Sequence, residues 1–126
     1  MIKGIEHFSK NRIPSEMILA LEFFDLLEKH FTEEHQSEFY AERMNMSLKR
    51  LNILLRTYYE KTVYEMIQAR IHQEAEKLLI YTNMTVQQIS CELGICTASF
   101  FCKCFREITG LTPQDFRKAV KAKALL

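Results

Sequence analysis

The chain has 126 residues, 48% apolar and 26% charged, with three glycines, two prolines and no tryptophan, enough for one domain or two very small units and leaning to an all-α fold. No apolar run is long enough to cross a bilayer, and the N-terminal MIKGIEHFSKNRIPS lacks the apolar stretch of a signal peptide, so a cytoplasmic chain with reduced thiols and no membrane partner is expected. The net charge of +1 conceals −5 on residues 1–42 and +6 on residues 43–126, so near-neutrality does not exclude a polyanionic partner for the basic part.

Residues 1–15 are weakly patterned, and 1–18 are expected to be a tail or linker remnant. Ser15 can cap a helix opening near Glu16, on which Leu19, Phe23, Leu26, Leu27 and Phe31 recur at helical spacing. After the polar break 32–36, Ser37 can cap a short helix with Phe39, Tyr40 and Met44. Asn45 sits where that helix should stop, because Asn tolerates the left-handed cap conformation. Ser47 can cap the next helix, with Leu51, Leu54, Leu55 and Tyr58 as its core stripe. A longer helix is expected over about 62–81, turning Ile67, Ile71, Ala75, Leu78 and Leu79 inward. Thr85-Val86-Gln87-Gln88 is a capping box opening a helix with Ile89 and Leu93 inside and Gly94 as its stop. Thr97 can cap a helix with the stripe Phe101, Cys104, Phe105 and Ile108, ended by Gly110. Thr112 then caps a last helix, with Pro113 at the first helical position, where its missing N–H costs nothing. Phe116 and Val120 face inward there, and residues 122–126 are expected to fray as a tail.

Two stretches superimpose. Ala41 to Tyr58 has the order helix, Asn stop, Ser cap, helix, and Ser90 to Ile108 has helix, Gly stop, Thr cap, helix. Four positions separate cap from first core residue in both, and the stripe starting at Leu51 returns fifty positions later at Phe101. The second turn is longer by Cys96, and the small residues Ala41 and Ser90 match where two helices would cross closely. Each stretch is a helix-turn-helix pattern, at about 37–60 and about 85–109, joined by the long helix. A plain helical bundle would also contain amphipathic pairs, so the outward faces matter. They carry Leu48, Lys49, Arg50, Asn52, Ile53 and Arg56 in the first unit, and Ala98, Ser99, Cys102, Lys103 and Arg106 in the second, with no Asp or Glu. An ordinary solvated face would mix in acids. Arg and Lys pair with phosphate or guanine, Asn with adenine, and small residues admit the backbone to the groove floor.

The stretch LLIYTNMTVQQISCELGICTASFFCKCFREITGLTPQDFR resembles the signature of AraC/XylS-type transcription regulators, through Leu78-Leu79, Leu93-Gly94-Ile95, Phe100-Phe101, Phe105-Arg106, Thr109-Gly110, Thr112-Pro113 and Phe116-Arg117. The likeness extends back through SEFYAERMNMSLKRLNILLR and covers about residues 20–120. It implies an all-α DNA-binding module over about 19–121, with about seven helices in two helix-turn-helix subdomains. Each second helix would enter the major groove, in neighbouring turns on one face of the duplex, which bends if the connecting helix is rigid. Carried over by position, the base-reading candidates are Lys49, Arg50, Asn52 and Ile53, then Ala98, Ser99, Cys102 and Lys103. The phosphate candidates are Ser47, Arg56, Thr97 and Arg106, with the backbone N–H groups at the caps. The resemblance thus implies the output domain of a transcription regulator, an activator in the first instance, with no enzymatic activity, no cofactor and no metal. Its partner is double-stranded DNA. RNA polymerase is a further candidate partner, as is a sensor or dimerisation domain belonging to a longer protein.

Three departures from the family pattern bear on these expectations. Ile95 stands where Phe is usual. Glu60 and Val63 replace the usual Gly and Pro after the first recognition helix, so a tighter or more helical connection is expected there. Ile53 lies opposite Lys103 in the repeat; either it reads thymine methyls or the first unit adds little specificity, and Arg50 is either a base reader or a flanking phosphate contact. Cys91, Cys96, Cys102 and Cys104 lack a zinc spacing and fall on diverging faces, Cys104 on the core stripe and Cys102 on the groove face. A thiol sensor acting through Cys102, and a protein-interaction module with weak or degenerate DNA contacts, are the competing functions. The resemblance also covers DNA-repair proteins with a methyl-accepting cysteine, but no nucleophile context accompanies the cysteines here. The acidic segment from Glu22 to Glu42 is expected to face away from DNA, as solvated surface or as a contact for another protein.

Overall fold

The computed structural model describes residues 14–124, and among these it holds seven helices and no strand. They are α1 (Ser15–His30), α2 (Ser37–Arg43), α3 (Leu48–Tyr59), α4 (Val63–Tyr81), α5 (Val86–Glu92), α6 (Ala98–Thr109) and α7 (Pro113–Ala124). The described residues divide into two compact units, 14–30 with 34–67 and 31–33 with 68–124. The tail expected at 1–18 lies outside the described residues up to 13, and α1 already occupies 15–18. Ser15 is the first helical residue and not the cap, since Met17 N–H bonds the Pro14 carbonyl at 3.0 Å. Ser37 is likewise inside its helix, behind a Gln36 cap that makes no side-chain bond. α7 continues to Ala124 instead of fraying at 122, through a Lys- and Ala-rich end of high helix propensity.

In the first unit Ala20, Phe23, Leu27, Tyr40, Ala41, Leu51, Leu54, Leu55, Val63 and Ile67 are buried. The buried stripe of α1 is Ala20-Phe23-Leu27, and the expected Leu19 and Leu26 are only half-buried. Tyr40 packs edge-on against Phe23, with ring centroids 5.6 Å apart, and its hydroxyl donates to the Glu34 carbonyl at 2.8 Å. Burial, reinforced by the Glu34 carboxylate, pushes the Tyr40 pKa up to about 12.

The two helix-turn-helix turns use one solution. Asn45 takes a left-handed φ of 56°, and Met46 N–H bonds the Ala41 carbonyl at 3.1 Å. Gly94 takes φ 74°, and Ile95 N–H bonds the Ser90 carbonyl at 2.9 Å. Both are Schellman stops, which satisfy carbonyls that the helix leaves unpaired. Their acceptors are the two small residues, buried to 4% and 1% exposure, as the close crossing requires.

The repeat runs further than the stripe. α3 ends at Glu60 with φ 60° and α6 at Gly110 with φ 85°, each N–H returning to the Arg56 or Arg106 carbonyl. Thr62 and Thr112 then cap the following helices, accepting from Glu65 N–H at 3.2 Å and Asp115 N–H at 3.1 Å. Val63 and Pro113, the first helical residues, are both buried. The expected tighter or more helical connection is therefore wrong. The stop is left-handed in both units, and Glu60 adopts it without being glycine. Val63 carries an N–H where proline has none, and the Asn52 Oδ1 accepts it at 2.9 Å. Glu65 completes a capping box by accepting Thr62 N–H at 2.9 Å, and that bond holds its carboxyl below the usual range. Glu60→Gly should stabilise the chain by about 1 kcal/mol, since a left-handed residue with a Cβ costs about 1–2 kcal/mol. Gly110→Ala should lose a similar amount. A Cβ at Gly110 meets nothing within 4 Å, so the strain would be in the backbone alone. Urea melts of the two variants check both signs.

In the second unit Phe31, Ile71, Ala75, Leu79, Ile89, Ser90, Leu93, Phe101, Phe105 and Pro113 are buried. Phe105 meets Phe101, Phe116 and His72 at ring distances of 5.9, 5.3 and 4.8 Å. Ile108, expected on this stripe, is 57% exposed, because it lies on the last turn of α6, past the core. Arg117 bonds the end of α4, its Nε to the Leu79 carbonyl at 3.0 Å and its Nη2 to that of Thr82 at 3.2 Å.

Candidate nucleic-acid interface

The first face is built on α3. Ser47 is extended and its Oγ accepts Arg50 N–H at 3.1 Å, which starts the helix at Leu48. Lys49, Arg50, Ile53 and Arg56 then project to solvent at helical spacing, Ile53 with 59% exposure, while Leu48 is half-buried. Asn52 does not join them. It is half-buried, and the Val63 N–H occupies its Oδ1. That bond takes one of the two lone pairs of the amide oxygen and draws the side chain toward the start of α4, so Asn52 stands apart from the exposed row of expected base readers. The signal lay in Val63, which brings an N–H to a place where the resemblance implies proline.

The second face is built on α6. Thr97 Oγ1 accepts Phe100 N–H at 3.0 Å and fixes the start at Ala98. Ser99, Lys103 and Arg106 are exposed, and Ala98 and Cys102 half-buried. Ser99, Cys102, Lys103 and Arg106 share a shallow depression of about 480 Å³ with Glu107 and Thr112. Glu107 corrects the expectation of an acid-free face: only α3 lacks acids altogether. Phe100 was also missed. It is 55% exposed while Phe101 is buried at 3%, so the helix turns only the second ring of the pair into the core.

The thiols do not converge. Cys91 and Cys96 are exposed, Cys102 and Cys104 half-buried, and all four are free. Burial, with the Glu107 carboxylate adding to it, raises the Cys104 pKa and keeps it a thiol, while Lys103 opposes weakly. Among the described residues no three His, Cys, Asp or Glu side chains gather as a metal would need. Among them, too, no helix is long and apolar enough to cross a membrane.

The sequence pattern of the family described as "Helix-turn-helix domain" matches residues 40–119, which takes in both units' turns and second helices. The chain belongs to the AraC-type helix-turn-helix family. Within it, the chain is 33% identical over 98 residues to the "Bifunctional transcriptional activator/DNA repair enzyme AdaA" of Bacillus subtilis (strain 168), a match covering 77% of this chain and 46% of AdaA. The chain thus spans about half the length of that curated relative. Among solved AraC-type folds, the DNA-binding domain of AdpA in complex with a target DNA superimposes with a TM-score of 0.76 at 20% identity, covering 82% of this chain and 94% of that one. An AraC-type regulator from Chromobacterium violaceum gives 0.73 at 20% identity, covering 82% and 93%. At these identities the structural likeness shows the AraC-type fold.

Proposed function

We infer that the chain binds double-stranded DNA sequence-specifically as the output domain of a transcription regulator, without catalysis. The observation that carries this is the pair of hydroxyl-capped helices whose outer faces hold exposed cations: Lys49, Arg50 and Arg56 on α3, Lys103 and Arg106 on α6. A helix of this kind fits the major groove, and its cations meet phosphates or guanine edges. Lys49, Arg50 and Ile53 are the base readers of the first unit, and Ser99, Cys102 and Lys103 those of the second, with Ala98 admitting close approach. Arg56 and Arg106 hold phosphates beside the Ser47 and Thr97 caps, whose first-turn N–H groups attract anions. Support comes from the AdpA domain, solved with a target DNA, and from AdaA, named as a transcriptional activator. Activation, a cytoplasmic location, contact with RNA polymerase and attachment to a sensor or dimerisation domain are parts of the same proposal.

Selection from a pool of random duplexes, at low and moderate salt, tests it. One asymmetric motif with two boxes is expected, and Lys49→Ala and Lys103→Ala should each relax a different box by roughly tenfold. If no sequence is enriched and the residual binding vanishes with salt, DNA reading fails and the protein-interaction alternative takes its place.

A further inference from the structure

Resting on the DNA-binding function above, we propose that Ile53 contributes to the specificity of the first unit by packing on the 5-methyl group of a thymine in the major groove. A single exposed isoleucine is ordinary on a protein surface and would carry nothing by itself. Its neighbours give it meaning. Ile53 is 59% exposed, and on its own face stand Lys49 one turn before, Arg50 three residues before and Arg56 three residues after, all exposed. An apolar protein partner covering Ile53 would have to desolvate those three cations. A duplex groove offers them phosphates and guanine edges and leaves a neighbouring base for the side chain between them.

The uncharged polar reader expected on α3 stands apart from this row, because the Asn52 Oδ1 accepts Val63 N–H at 2.9 Å. The equivalent position in the second unit, fifty residues on, is the exposed Lys103. The two boxes are therefore read at matching places by opposite chemistry, an apolar group in one and a cation in the other. Among the four base pairs only thymine presents an apolar group in the major groove. Cytosine in its place would present an amino donor to a β-branched alkyl group and leave that donor unpaired. The branched side chain is also stiff in a helix, so little rotamer freedom is lost on contact.

Deoxyuridine isolates the methyl, since it keeps every hydrogen-bonding group of thymine. In the selected operator, each thymine of the box relaxed by Lys49→Ala is replaced in turn by deoxyuridine, and binding of the full chain is measured. One position should weaken binding roughly fourfold, the effect of one buried methyl. Ile53→Ala should bind the parent operator several-fold more weakly and show no further loss with deoxyuridine. Lys103→Ala should keep the fourfold loss. An enriched operator with no deoxyuridine-sensitive position, or a loss that persists in Ile53→Ala, overturns the methyl contact and leaves DNA binding standing. Failure to enrich any duplex overturns both. The alanine variant is expected to fold, because Ile53 is exposed and alanine favours helix.

Discussion

Phe105→Ala is expected to destabilise the second unit by about 3–5 kcal/mol, as removal of a buried phenylalanine ring does elsewhere. The ring is 2% exposed, touches Phe101 and Phe116 edge-on and packs on His72, so its removal strips contacts from three ring partners and leaves a cavity among α4, α6 and α7. Set against a total stability of about 5–15 kcal/mol for an ordinary domain, that loss removes from a fifth to all of it. The effect should reach function, because Phe105 anchors the inner side of the helix that presents Lys103 and Arg106 outward. Ile108→Ala is the control. It removes a residue of the same sequence stripe, but one 57% exposed, and should change stability by less than about 0.5 kcal/mol. Urea melts of the full chain, followed by helical signal, distinguish the two. Equal costs would mean that the core of α6 extends to its last turn.

That contrast also shows what the sequence could and could not convey. Caps and stops are local chemistry and legible where a side chain makes the bond: Ser47, Thr85 and Thr97 each accept an N–H three residues on, and Asn45 and Gly94 each turn left-handed, whereas Ser15 and Ser37, expected as caps, lie inside their helices. The fifty-residue repeat marks α3 and α6 as matching helices from the sequence alone. Periodicity, however, gives the direction of a face and not the cover over each turn, so it turns Ile108 inward and passes over Ala20. Substitution rules misled at Glu60 and Val63, since the surrounding fold imposes the left-handed stop whatever residue occupies it. Asn52 and Arg117 were illegible for a different reason. Their partners lie 11 and 38 residues away, and no local pattern links a side chain to a backbone group at that distance.

Arg117→Ala should cost about 3 kcal/mol, and the replacement that fails to rescue it identifies the cause. The last four carbonyls of any helix lack partners within it. α4 has no basic residue in its last turn, and Thr82 covers only the Leu78 carbonyl with its hydroxyl. The guanidinium reaches across from α7 to the carbonyls of Leu79 and Thr82, with a longer contact of 3.5 Å to Leu78. Hydrogen bonds to a charged group are worth about 1.5–3 kcal/mol each, and carbonyls left without a donor add to the loss. Arg117→Lys keeps the charge but offers one compact ammonium in place of a planar fork, so it should recover less than half of the stability. A favourable charge at the helix C-terminus would behave otherwise: lysine would serve as well as arginine, and high salt would screen the benefit. Urea melts of both variants at low and high salt therefore separate a directional clamp from a charge–dipole effect. If lysine restores the full stability and salt removes it, Arg117 acts through its charge and the fork geometry is incidental.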